Sequence, residues 1–205
     1  MGDFEFLFAL FGLLFGLIVA ELSLRFADAI DRQDRRPIGI LTPMLALLVL
    51  TDVTCFWPFI WSVRTSLKVS WHLVFSGLTL AVVYFLAASL VFPRSERDMP
   101  SLDTHYWRRK RAVVGGVLFV DLIVYGSMLA IRLPAWNDWW FYFYQVGYFG
   151  ALIGLMFSRT RRLDIAFLSL GLFVNICSGF DLTPGSAWAR EIGIPYAAWL
   201  GGPAS

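Results

Sequence analysis

The stretch Phe6-Leu-Phe-Ala-Leu-Phe-Gly-Leu-Leu-Phe-Gly-Leu-Ile-Val-Ala20 runs for fifteen residues without one polar side chain. With its flanks it makes an apolar segment over 4–26. That is enough for a helix to cross about 30 Å of hydrocarbon, which takes about 20 residues. Five further segments have the same character: 38–62, 69–92, 112–133, 138–158 and 163–181. In lipid each backbone polar group must be satisfied within its own segment, so every one is expected to be helical. The alternating pattern of a membrane β-barrel is absent. The expected fold is all-α, an integral membrane bundle of six transmembrane helices over 1–181, followed by an interfacial tail over 182–205.

Composition agrees. Of 205 residues, 58% are hydrophobic, 17% aromatic and only 16% charged, against about 25% charged in a soluble domain. That balance rules out disorder and argues against an ordinary soluble enzyme. A net charge of +2 is too small to attract nucleic acid.

Basic residues give an orientation. Arg25, Arg32, Arg35 and Arg36 join spans 1 and 2; Arg94, Arg97, Arg108, Arg109, Lys110 and Arg111 join spans 3 and 4; Arg159, Arg161 and Arg162 join spans 5 and 6. The other side holds only Arg64, Lys68, Arg132 and Arg190. By the positive-inside rule the thirteen face the cytoplasm. Both termini are then non-cytoplasmic, and 93–111 is the main cytoplasmic loop. Asp3 and Glu5 stand where a signal peptide carries basic residues, so the first run is read as a span.

Tryptophan follows the opposite face. Trp57, Trp61, Trp71, Trp136, Trp139, Trp140, Trp188 and Trp199 fall at or beyond outer span ends, and Trp107 alone lies inside. Two readings stand. One is an aromatic belt at the headgroups. The other is an outer surface for a partner, a pigment or a quinone-like lipid, centred on Trp136, Trp139, Trp140, Tyr142 and Tyr144 and joined by Trp57 and Trp61.

Smaller features follow from spacing. Glu21–Arg25, Asp28–Arg32 and Asp31–Arg35 are acid-before-base pairs at i,i+4, which predict that the first helix continues past its apolar run towards Pro37. Asp103 is placed to cap a helix leading into span 4. Arg108, Arg109, Lys110 and Arg111, beside Tyr106 and Trp107, are expected to hold anionic lipid headgroups. Cys55 and Cys177 fall at similar depth, as packed thiols or as a disulfide between spans 2 and 6.

Charge within hydrocarbon points most directly at function, because it costs at least about 2.5 kcal/mol per residue. Asp121 lies near the midpoint of span 4, and Asp52 lies slightly outward of the midpoint of span 2. Asn175, Gln145, Tyr84 and Tyr125 share their depth, and no Lys or Arg reaches it. Without a basic partner the two carboxyls are expected to keep their protons unless a cation binds between them. Around Asp52, Thr51, Thr54 and the carbonyl released by Pro58 add oxygens of the kind that cations and proton relays use. The competing reading is that both aspartates only hydrogen-bond neighbouring helices.

Nothing points to catalysis. His72 and His105 lie on opposite faces by this topology, no metal-ligand cluster appears, and no hydrolase or phosphate-loop motif is present. No cofactor is expected.

The N-terminal Gly16-Leu-Ile-Val-Ala-Glu-Leu22 with Arg25, then Tyr84-Phe-Leu-Ala-Ala, Val91-Phe-Pro93 and His105-Tyr-Trp-Arg-Arg109, resembles small bacterial multi-span inner-membrane proteins of no assigned function. The resemblance covers about 4–111 and implies a bacterial cytoplasmic membrane but no activity. Three functions remain open. The first is a non-enzymatic accessory or assembly subunit that meets other membrane proteins, or a second copy of itself, through the outer aromatic surface. The second is a small proton- or cation-coupled permease or channel using Asp52 and Asp121. The third is a sensor of a lipid or quinone.

Overall fold

Three helices share one register. Leu41, Leu45, Leu48 and Asp52; Lys110, Val114, Val117 and Asp121; and Asp164, Leu168, Gly171 and Asn175 are each spaced i, i+4, i+7, i+11, and all twelve are buried. That spacing is one face of an α-helix. Each polar group is therefore carried inward by the apolar residues on its own stripe.

The computed structural model describes residues 2–31, 38–62, 69–93, 101–131, 133 and 136–179. The tail 182–205, Arg32, Arg35, Pro37, loop residues 94–100 and the side chains of Trp61 and Trp140 lie outside what is described. Among these residues there are six helices: α1 (Asp3–Asp31), α2 (Leu41–Ser62), α3 (Trp71–Ser89), α4 (Leu102–Ile131), α5 (Trp139–Phe157) and α6 (Arg161–Gly179). No strand occurs among the described residues. α1, α3 and α6 are long and apolar enough to cross a membrane. α2 and α5 contain shorter apolar runs, Leu41–Trp57 and Phe141–Phe157.

The helices close a ring of neighbours in the order α1, α3, α4, α5, α6, α2 and back to α1, and α2 also meets α4 across the middle. α2 and α4, the carriers of Asp52 and Asp121, are thus the two helices that each touch three others. α3 and α4 pack closely at Gly116, where a Cβ would come within 2.7 Å of the Ala87 Cβ.

Two helix ends differ from the spacing argument or extend it. α1 does run past its apolar stretch to Asp31, with Arg25 Nε donating to Glu21 at 3.1 Å. α4 begins at Leu102, with Ser101 Oγ accepting from the Thr104 amide at 3.3 Å. Ser101, and not Asp103, therefore receives an N-terminal amide of α4. Asp103 sits inside the first turn, its carboxyl packed on Gly39. Gly39 has φ +68°, a left-handed backbone that glycine adopts freely.

Candidate functional site

Asp52 from α2 and Asp121 from α4 meet at one hydroxyl. Their relative exposures are 5% and 4%. The Tyr148 hydroxyl, from the middle of α5, lies against Asp52 Oδ1 and 3.0 Å from Asp121 Oδ2. On its other side Asp52 Oδ2 is 2.7 Å from the Tyr84 hydroxyl of α3. That hydroxyl is also 3.0 Å from the Val49 carbonyl. Four helices therefore converge on two carboxyls. Phe56 seals the Tyr84 ring edge-on, with centroids 5.7 Å apart.

The remaining groups of this layer are arranged differently from their sequence neighbourhood. Asn175 Nδ2 lies 3.4 Å from Thr51 Oγ1. Thr51 itself turns back to its own helix, donating to the Leu47 or Leu48 carbonyl at 2.9 or 3.0 Å. Thr54 is exposed and donates to the Thr51 carbonyl at 2.6 Å. Two residues along a helix do not share a face, so Thr54 points away from Asp52. Neither threonine hydroxyl joins Asp52, and the hydroxyls against it come from Tyr84 of α3 and Tyr148 of α5, the latter shared with Asp121 of α4. Gln145 is half-buried, with Oε1 unpartnered among the described residues. Cys55 and Cys177 are both free thiols, and Cys55 Sγ donates to the Thr51 carbonyl at 3.4 Å.

A second polar group of side chains lies eleven positions earlier on both α4 and α6, about 16 Å along each axis at 1.5 Å per residue. Lys110 Nζ is 2.7 Å from Asp164 Oδ2, 2.8 Å from the Ser158 carbonyl and 3.1 Å from Ser158 Oγ. Tyr106 donates to the same Asp164 oxygen at 2.8 Å, and Ser158 Oγ donates to Oδ1. Burial, and then the bond to and charge of Asp164, push the Tyr106 phenol well above the ordinary tyrosine value. Lys110 is 3% exposed. It is therefore not a headgroup contact as expected, because it stands on the buried face of α4. Arg108 and Arg109 are exposed, and Arg111, also exposed, donates from Nε to the Met156 carbonyl at 3.0 Å. Lys110 and Arg111 together satisfy carbonyls at the C-terminal end of α5, where cations are favoured.

No family model, curated protein or solved structure matches the chain. The site must be read from its own chemistry.

The aromatic surface is divided by the fold. Trp136 and Trp139 are 84% and 76% exposed, and Tyr142 is exposed beside them. Tyr144 is half-buried. Trp57 is half-buried too, its ring edge-on to Phe15 at 5.5 Å, so it packs α1 against α2. Tyr148 and Asp164 are the functional candidates that sequence reading passed over. Tyr148 lies at the centre of its apolar run, which was the available signal.

Proposed function

We propose that the chain is a six-span protein of a bacterial cytoplasmic membrane, termini outside, that binds and passes a proton at the Asp52–Asp121 pair. A small proton-coupled permease or channel is the function that fits best. One observation carries the reading: carboxyls from two helices meet on a single phenol, in a layer without Lys or Arg. Ionisable groups inside a membrane bundle are costly and mark proton relays or ion paths. The proton is favoured over a larger cation because the space between the carboxyls is filled by a hydroxyl. Among the described residues no third carboxylate, thiol or imidazole completes a metal-binding group.

The basic residues concentrated at the 1–2, 3–4 and 5–6 joints support the orientation. The bacterial membrane rests on the resemblance over 4–111.

The test is proton flux into vesicles containing purified protein under an imposed pH gradient, read with an enclosed pH indicator. Wild type is expected to exceed empty vesicles, and Asp52→Asn and Asp121→Asn each to remove the excess. A wild type no faster than empty vesicles, or two variants as fast as wild type, ends the reading.

The exposure of Trp136 and Trp139 favours a second reading, an accessory subunit that docks other membrane proteins there. Replacing both by Leu should then release co-purifying membrane proteins; unchanged co-purification rejects it.

A further inference from the structure

The contacts around Asp52 fix where each proton sits. A phenol donates one hydrogen bond, a carbonyl only accepts, and a protonated carboxyl donates from one oxygen only. Tyr84 lies between the Val49 carbonyl and Asp52 Oδ2. Val49 cannot donate, so for both contacts to be hydrogen bonds Tyr84 donates to Val49 and Asp52 Oδ2–H donates to Tyr84. Asp52 Oδ1 then carries no proton, and Tyr148 must donate to it. Tyr148 has now spent its proton, so Asp121 Oδ2–H donates to Tyr148. No other assignment satisfies all four contacts. Buried polar groups are paired in the great majority of cases, and aligned bonds of this kind strengthen one another.

We propose that Tyr148 is the relay through which Asp121 and Asp52 share their protons, in a centre that stores two carboxyl protons and gives up one. This rests on the proton-handling reading of the same pair. With both carboxyls protonated the chain is neutral and runs one way, Asp121 to Tyr148 to Asp52 to Tyr84 to the Val49 carbonyl. Loss of one proton leaves a single carboxyl proton and one negative charge. In that state the Asp121 proton moves onto the Tyr148 oxygen as Tyr148 releases its own to Asp52 Oδ1. O–H bonds break at Asp121 Oδ2 and at Tyr148 and form at Tyr148 and at Asp52 Oδ1, so the phenol is neutral before and after and the charge moves from Asp52, which had lost its proton, to Asp121. No oxidant or third reactant is involved. The Val49 carbonyl is the end of the chain, so Tyr84 holds Asp52 and lies beyond the shared proton.

Two measurements on the full chain in lipid test this. The first is infrared absorption of protonated carboxyl C=O groups near neutral pH, in light and heavy water. Wild type should show two such acids, one removed by Asp52→Asn and one by Asp121→Asn, and Tyr148→Phe should move both bands towards weakly hydrogen-bonded acids. Absence of either acid, or bands unmoved by Tyr148→Phe, overturns the relay, and this readout needs no knowledge of a transported substrate. The second is vesicle proton flux. Tyr148→Phe, which keeps the ring, is expected to lose at least about tenfold, or about 1.4 kcal/mol in barrier. Tyr125→Phe, half-buried on α4 with its ring edge-on to Phe149 and outside the four contacts, should stay within about threefold of wild type. If Tyr148→Phe keeps its flux while the aspartate variants lose theirs, the relay falls and the proton site stands. If the aspartate variants also keep theirs, the proton site falls. Equal loss in both tyrosine variants assigns the effect to packing and also overturns the relay. Should Tyr148→Phe fail to fold, the two acids and their assignment by the asparagine variants still decide the two-proton count.

Discussion

Lys110 Nζ lies 2.7 Å from Asp164 Oδ2 in an ion pair sealed from solvent, and the pair ties α4 to the first turn of α6. Its two ends are not equally replaceable. Without Lys110 the carboxylate keeps the Tyr106 and Ser158 hydroxyls and the first turn of α6, where negative charge is favoured. Without the Asp164 charge the ammonium keeps Ser158 and the Trp107 ring, 4.3 Å from its centroid, but no anion. Breaking a buried pair from one side costs about 3–5 kcal/mol. Asp164→Asn is expected at the upper end of that range and Lys110→Met at or below the lower end. The double variant Lys110→Met with Asp164→Leu should cost less than the two single losses added. Thermal unfolding in lipid micelles ranks the three, and a Lys110→Met loss equal to or above that of Asp164→Asn refutes the asymmetry.

Lys110 also shows what the sequence contained and how it was overlooked. Read as one of four basic residues at 108–111 it belongs with lipid headgroups. Read at helical spacing it stands four, seven and eleven positions before Val114, Val117 and Asp121, on the buried face. The six helices were legible because apolar runs of membrane length have few alternatives. A helix leading into span 4 was legible at Asp103 but its first residue was not, since the Ser101 hydroxyl caps it two positions earlier and Tyr106 and Lys110 dock its polar first turns. Asp52 and Asp121 stood out as charges in apolar segments. Tyr148 did not, because a tyrosine in an aromatic-rich helix looks like its neighbours Tyr142 and Tyr144. Only the packing of α5 beside α4 and against Asp52 separates it from them. Thr54 is near Asp52 along the chain but not in space, because two residues turn the helix by about 200° and leave its hydroxyl exposed.

His105 supplies a pH dependence. Its Nε2 is 2.9 Å from the Leu90 carbonyl, which only accepts, so Nε2 bears the hydrogen. Nδ1 is buried with no partner among the described residues. Burial lowers the imidazole below its ordinary value, with Arg109 and Arg108 adding to it and the Leu90 bond opposing it. The folded chain therefore binds fewer protons than the unfolded chain, and stability rises with pH. The contribution is complete above about 6.5, the ordinary histidine value, and is lost as pH falls below it. His105→Gln keeps a donor for Leu90 and cannot titrate. Wild type is expected to lose more thermal stability than His105→Gln between about pH 7.5 and about pH 5. Equal losses would show that His105 is not the source.

Gly116 sets how closely α3 meets α4, the helix that carries Asp121. A Cβ there would stand 2.7 Å from the Ala87 Cβ and 3.8 Å from the Ala87 Cα, on a rigid part of α3. The neighbouring Gly115 is a natural control, since its Cβ would meet only the flexible Met156 Cε at 3.7 Å. Overpacking of this kind costs about 1–3 kcal/mol, whereas alanine in open helical surroundings is neutral or favourable. Gly116→Ala is expected to destabilise by that amount and Gly115→Ala to be neutral or stabilising. Ala87→Gly in the Gly116→Ala background removes the opposing methyl and should recover most of the loss, which tests the contact itself. If unfolding in micelles gives equal losses for the two glycines, or Ala87→Gly recovers nothing, then the Gly116–Ala87 approach does not hold α3 against α4.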